Sequence, residues 1–309
     1  MKAILHAKYG PPSVLKVTQI EKPKPKANEI LVKVHAATVT AGDIRLRASD
    51  FPPLVWLPAR IIFGLFKPKK KILGHEFAGE VEAVGDRVSK FTIGDEVFGT
   101  TTMLPTGSYA EYICVPESWK SGVVAKKPES LSFEESAALP VGAMTALFLL
   151  KKAKIDKTKK ILIYGASGSV GSYAIQLAHH MGKSVTGICS TSNIDMVRSL
   201  GADEVIDYKK YDYTKLSSDY DIVFDAVGKT TKSAAKKVLK KNGIFVSVSM
   251  MTSEKIEDLL EIKQMIKGGI LKPFVDKTYS LDQLVEAHEY VDSGRKRGNV
   301  VISNAKVRL

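Results

Sequence analysis

Three glycines carry the clearest chemistry in this chain. Gly165, Gly168 and Gly171 follow one another at every third position in ILIYGASGSVGSYAIQLA, between an apolar run and a helical pattern. Glycine permits a tight turn and lets backbone N–H groups come close to a ligand. A helix that starts at the turn adds the positive end of its dipole, which suits a pyrophosphate. A glycine triplet alone is weak evidence, but here a strand precedes it and a helix follows, the context a dinucleotide site requires. A tight turn with no ligand is the competing reading. The expected contacts are Gly165, Ser167, Gly168, Ser169, Val170 and Gly171.

The next strand bears on which nucleotide binds. A site for NAD places Asp or Glu about 20 residues on, to hold the ribose 2′-hydroxyl. Here SVTGIC ends in Ser190, Thr191, Ser192 and Asn193, and the first acid is Asp195, expected inside the following helix. Hydroxyl and amide groups accept a 2′-phosphate without charge repulsion. The residues therefore favour NADP(H), with Ser190, Thr191 and Asn193 as contacts. Asn193 could instead serve as a helix cap.

The surrounding pattern supplies the elements that must position these groups. Residues 1–120 are rich in short apolar runs between Gly, Pro and Asn, such as EILVKVHAATV and EFAGEVEAVG, and predict a compact barrel or sandwich. Ser132, followed three residues later by Glu135, predicts a capping box. From 161 to about 250, strands and helices alternate, the signature of a parallel sheet wound on both faces. Thr231–Gly243 is expected as a helix ending in an Asn-Gly turn, followed by the strand IFVSVS. LDQLVEAHEYVDSG predicts a late helix with Ser280 as its cap, and NVVIS a closing strand. The expected division is residues 1–125 with 270–309 as one domain and 126–269 as the dinucleotide-binding domain.

The 309 residues, 44% of them hydrophobic, suit about two globular domains. Cys114 and Cys189 lie in apolar runs and are expected as reduced core residues, which points to a cytoplasmic protein. No stretch reaches the roughly 18 uncharged apolar residues of a spanning helix. The net charge of +13 raises a nucleic-acid reading, but the lysines are scattered and not interleaved with stacking aromatics, so no specific nucleic-acid partner is expected.

Several separated motifs resemble the medium-chain dehydrogenase/reductase family over nearly the whole chain. GHEFAGEVEAVGDRVSKFTIGDEVFG, GSYAEYICV, LPVGAMTALFLL, SLGADEVIDY and the terminal LVEAHEYVDSGRKRGNVVIS fall in the family's order, and IYGASGSVGSYAIQLA is similar to its quinone oxidoreductase branch. The resemblance implies an α/β protein: a GroES-like β-barrel domain plus a Rossmann domain with a doubly wound parallel sheet, the active site lying between them. It also implies that Tyr208 packs by the adenosine 2′-phosphate, that Thr145, Val227 and Gly228 neighbour the nicotinamide, and that Asn299 lies near the cofactor. A lysine often found near the position of Asn193 is missing, as are an Asn near Thr40 and a Tyr near Arg45.

Family alcohol dehydrogenases bind a catalytic zinc through a Cys, the His of a GHE motif, and a second Cys or an acid. Here the His is His75, the first Cys position is Thr40, and the second is Val141. One imidazole with a Thr and a Val cannot make a tetrahedral zinc site. The resemblance then implies zinc-independent hydride transfer from NADPH to a quinone or activated enone, a small apolar carbonyl substrate. Thr40 and His75 are the catalytic candidates, Thr40 as a donor to the developing oxyanion, with the final proton available from water. Two alternatives stand beside this: a reductase of the alcohol dehydrogenase type with a residual metal at His75 and Glu76, and a non-catalytic basic RNA-binding protein. A homodimer is expected, with IFVSVS as a candidate edge. Residues 51–66 are expected as a loop or short helix over the site, where Trp56, Phe63 and Phe66 suit a flat substrate. Ordinary packing, a subunit contact or docking on anionic lipid are the other readings of that segment.

Overall fold

The computed structural model describes residues 1–304, and the chain divides into two compact units. One comprises Met1–Pro140 and the tail from Val275. The other is Val141–Phe274.

In the first unit, β1 (Lys2–His6) and β2 (Leu15–Gln19) pair antiparallel. β3 (Glu29–Thr38) is followed by the helices α1 (Ala41–Ala48) and α2 (Pro53–Phe63). Then come β4 (Glu76–Val84), β5 (Glu96–Thr100), β6 (Tyr112–Pro116), β7 (Val124–Lys126) and the short helix α3 (Phe133–Ala137). β3 is the spine of the sheet, with antiparallel ladders to β4 and β6. Register shifts between β3 and β4 mark irregularities of the kind that sharpen twist and let a sheet curl. Alternation buries Ile30, Val32 and Val34 against Phe77, Val81, Val97 and Ile113. α3 opens on the expected box, with Ser132 and Glu135 each bonding the other's backbone N–H.

The second unit begins with α4 (Pro140–Lys152), whose first proline suits a helix start. β8 (Lys160–Tyr164), α5 (Ser169–His180), β9 (Ser184–Cys189), α6 (Ile194–Ser199) and β10 (Glu204–Asp207) follow. The chain then crosses to the other side of β8 for β11 (Tyr220–Asp225), α7 (Lys232–Lys236), β12 (Leu239–Ser247) and α8 (Ile256–Lys267). The sheet is parallel throughout, in the order β10-β9-β8-β11-β12. The direction of winding reverses between β8 and β11, and ligands of such sheets bind at that switch point beyond the strands' carboxyl ends.

The tail returns to the first unit. β13 (Val275–Ser280), α9 (Leu284–Asp292) and β14 (Asn299–Ser303) add to its sheet, β14 pairing with β3. α9 closes a second core of Ile4, Leu73, Tyr109, Leu284 and Val300. Gln283 accepts hydrogen bonds from the Ser280 backbone N–H and hydroxyl at the start of the helical turn.

Two features differ from the sequence expectation. The first boundary falls at Pro140, past residue 125, because α3 packs on β3 and β4 and Ser303 donates to Glu134. The helix expected over Thr231–Gly243 ends at Lys236, and Asn242-Gly243 lies inside β12. The ladder to β11 breaks there: Tyr220 faces Leu239 and Ile222 faces Ile244, so residues 240–243, with the expected Asn-Gly pair, bulge out of the register. β12 ends the sheet order, as an edge strand should. Both cysteines are free, and burial pushes each thiol up to about 11. Among the described residues no helix is long and apolar enough to cross a membrane.

Candidate active site

Four turns meet at the carboxyl edge of the parallel sheet, because the strands that feed them all run the same way. Residues 165–171 follow β8, 190–193 follow β9, Tyr208 follows β10, and 227–228 follow β11. Each glycine after β8 has its own reason. Gly165 has φ +78°, and a Cβ there would lie 2.5 Å from the Val227 side chain. A Cβ on Gly171 would lie 2.3 Å from the Gly165 carbonyl oxygen, so α5 can approach the strand only without one. Gly168, the residue that caps α5, is different: a Cβ there meets nothing closer than 3.5 Å. The protein has room for a side chain at Gly168, so packing does not account for the glycine there. A backbone left bare at a helix N-terminus is what a pyrophosphate needs.

The turn after β9 is tied to its neighbours. Asn193 donates from its amide to Ser167 Oγ at 2.9 Å, joining the two turns, and makes no capping bond to α6. Thr191 donates to Asp207 at 2.5 Å. Asp207 pairs in register with Cys189, so β10 brings a carboxylate beside the turn where the linear sequence shows none. The Thr191 hydroxyl, with the Lys209 backbone and the charges of Lys210 and Lys209, holds that carboxyl below its ordinary range. Ser190 and Ser192 hydroxyls lie 3.3 Å apart, and Tyr208 is half exposed. After β11, the buried Asp225 accepts from the backbone N–H groups of Val227, Gly228, Lys229 and Thr230 and from Ser247. It thereby fixes the two residues expected beside a nicotinamide. Thr145 is one turn along α4 from Gly142, which packs on Ser169 and Tyr173 at the start of α5. Asn299 is buried at the start of β14, in the first unit.

In the first unit, Thr40 and His75 come together through a third residue. Asp43 is fully buried in the first turn of α1 and receives four hydrogen bonds. Thr40 N–H and hydroxyl reach one carboxylate oxygen at 2.9 and 2.6 Å; Gly74 N–H and His75 Nδ1 reach the other at 3.0 and 2.9 Å. Burial pushes the carboxyl up, but the adjoining imidazole and these bonds outweigh it and hold Asp43 well below the usual carboxylate range. His75 must give its Nδ1 proton to Asp43, which leaves Nε2 as the nitrogen available for chemistry. The ring is 19% exposed. The Thr40 hydroxyl proton is committed to Asp43, so in this arrangement Thr40 is a helix cap and does not offer the oxyanion hydrogen bond expected of it.

The donor set does not fit a catalytic zinc. His75 could offer Nε2, but the Thr40 hydroxyl is engaged with Asp43 and Val141 has no ligand atom, so too few donors remain. Glu76 is no substitute: it begins β4, is buried, and accepts a hydrogen bond from Thr38. Among the described residues no three His, Cys, Asp or Glu side chains converge as a metal site. The carboxylate beside His75 is Asp43, which the sequence analysis does not single out; its place three residues after Thr40, the N3 position of a capping box, is the signal that could have found it.

The description "Alcohol dehydrogenase GroES-like domain" matches residues 26–129, and "Zinc-binding dehydrogenase" matches 169–271 and 248–302. The 2-methylene-furan-3-one reductase of Solanum lycopersicum is 34% identical across 98% of this chain and 79% of its own length. The chloroplastic NADPH-dependent alkenal/one oxidoreductase of Arabidopsis thaliana is 31% identical with the same coverage. The quinone oxidoreductase structure from Coxiella burnetii superposes with a TM-score of 0.84 at 28% identity, over 99% of both chains. This chain belongs to the medium-chain dehydrogenase/reductase family, in its quinone oxidoreductase-like branch.

Proposed function

We propose that this protein is an NADPH-dependent reductase that delivers hydride to a quinone or an activated enone, without a metal. The observation that carries it is the Gly165–Gly171 turn at the switch point, whose middle glycine has room for a side chain and lacks one. Relatives named as enone, alkenal and quinone reductases support the same reading.

The backbone of 165–171 holds the pyrophosphate. Ser190, Thr191, Asn193 and Tyr208 surround the adenosine 2′-phosphate, and Lys209 or Lys210 supplies the cation missing near Asn193. Thr145, Val227 and Gly228 border the nicotinamide. Bound there, the reduced nicotinamide supplies a hydride. A quinone or enone accepts it without a Lewis acid because its own conjugation spreads the charge. His75, whose Nε2 the bond to Asp43 leaves available, is the group of the first unit suited to supply the proton the reduced product needs, and Asp43 would stabilise its imidazolium. Water restores the proton to His75. In this reading, the protein works as a homodimer joined at β12.

Fluorescence titration with NADPH and NADH, with metal content measured on the same sample, tests this. At least about tenfold preference for NADPH, lost in Lys209→Ala/Lys210→Ala, is expected, followed by turnover of quinones or enones without stoichiometric zinc. Preference for NADH, or activity abolished by a chelator, would overturn the reading.

A further inference from the structure

Helix α2 is made of residues that a folded chain usually hides. Within Pro53–Phe63 only Ala59 is buried. Leu54 is 94% exposed, and Leu57, Ile61 and Ile62 are each more than half exposed. Just beyond the helix, Phe66 is 89% exposed. The helix is nonetheless well anchored. Tyr9 donates its hydroxyl to the Phe63 and Gly64 carbonyls, Phe63 stacks on Phe51, and the Arg60 guanidinium lies 4.1 Å from the Tyr9 ring centre. Gly64, at φ +123°, turns the chain sharply, since a Cβ there would meet the Lys67 carbonyl oxygen at 2.0 Å. The turn sets Lys67, Lys69 and Lys71, all exposed, directly after the apolar surface. From 51 to 71 the chain carries five basic residues and no acid.

We infer that this segment docks the protein on the surface of an anionic lipid bilayer. The apolar side chains would enter the boundary between headgroups and acyl chains, and the three exposed lysines would meet the headgroup phosphates. Charge argues for an anionic partner and against a second copy, because a two-fold contact would set this basic surface against itself. Shape argues for lipid over an acidic protein. The exposed Leu54, Leu57, Ile61 and Ile62 share one broad face of the helix, opposite its anchored side, which is the arrangement of a helix that lies in a lipid interface. The inference does not depend on the reductase reading, because it concerns where the protein resides and not what it reduces.

The test is flotation of the full chain with phosphatidylcholine vesicles, with and without phosphatidylglycerol. Binding at least about tenfold stronger to the anionic vesicles, and weakened by salt, is expected. In a Trp119→Phe background, Trp56 emission should shift to the blue on binding. Leu54→Ser/Phe66→Ser and Lys67→Glu/Lys69→Glu/Lys71→Glu should each remove binding while leaving NADPH affinity unchanged. Absence of binding to either vesicle, or variants that bind like the parent, would overturn the inference. So would a solution dimer that Leu54→Ser/Phe66→Ser dissociates, because the surface would then belong to a second copy.

Discussion

Replacing Gly168 by alanine should separate cofactor binding from folding, and Gly171 provides the contrast. At Gly168 the backbone has φ −79°, which alanine adopts freely, and the new Cβ has no neighbour closer than 3.5 Å. The loss of backbone freedom in the unfolded chain and the poorer cap nearly cancel, so stability should change by less than about 1 kcal/mol. In the proposed site the methyl group would stand at the helix N-terminus that receives the pyrophosphate. A loss of at least about 1.4 kcal/mol, or tenfold in Kd for NADPH, is expected. At Gly171 the Cβ would lie 2.3 Å from the Gly165 carbonyl oxygen and 2.9 Å from Ala166 Cα, both backbone atoms that cannot swing aside. Overpacking of this kind costs about 1–3 kcal/mol, which lowers Tm by several degrees. Differential scanning fluorimetry with and without NADPH reads both quantities in one experiment. The parent should gain Tm with NADPH, Gly168→Ala should keep its unliganded Tm but lose most of that gain, and Gly171→Ala should melt early. A Gly168→Ala protein that binds NADPH within twofold of the parent would refute the assignment of the pyrophosphate to this turn.

Two further outcomes follow from buried ionisable groups. Asp43→Asn keeps the shape but removes the counter-charge of a protonated His75 and leaves an amide N–H group facing Thr40 N–H; a stability loss of about 1–3 kcal/mol is expected. In steady-state kinetics kcat should fall while the Kd for NADPH stays within about twofold of the parent; a kcat equal to the parent's would refute a role for Asp43 in turnover. His288 is buried, and burial pushes its imidazole down to about 3. The folded protein keeps it neutral while the unfolded chain protonates near 6.5, so the unfolded state binds more protons below that pH. Stability should therefore fall as pH drops from about 6.5 toward 3, by up to about 1.4 kcal/mol per pH unit from this residue. Burial lowers His6 and His35 as well, and they add to the same slope. Urea unfolding between pH 7 and pH 5 should show a smaller slope in His288→Asn; an unchanged slope would show that this residue is not the source.

The amino-acid sequence by itself determined the local devices. The glycine turn is legible because its demands fall on consecutive backbone atoms: a positive φ at Gly165, a bare approach at Gly168 and close packing at Gly171. The Ser132 box is legible for the same reason, being closed within four residues. The alternation of strands and crossover helices from 161 to 250 identifies the parallel sheet, because both periodicities are properties of short segments.

What the tertiary structure alone decided joins residues far apart in sequence. Asp207 stands beside Thr191 because β10 runs parallel to β9 in a register that no single strand specifies. Asp43 meets His75 because α1 and the approach to β4 are brought together within one fold, and that meeting takes the Thr40 proton out of use. The apolar run from 51 to 66 reads in the sequence as material to be covered. Its exposure is set by how few residues of the unit reach it, a property of packing that composition cannot express.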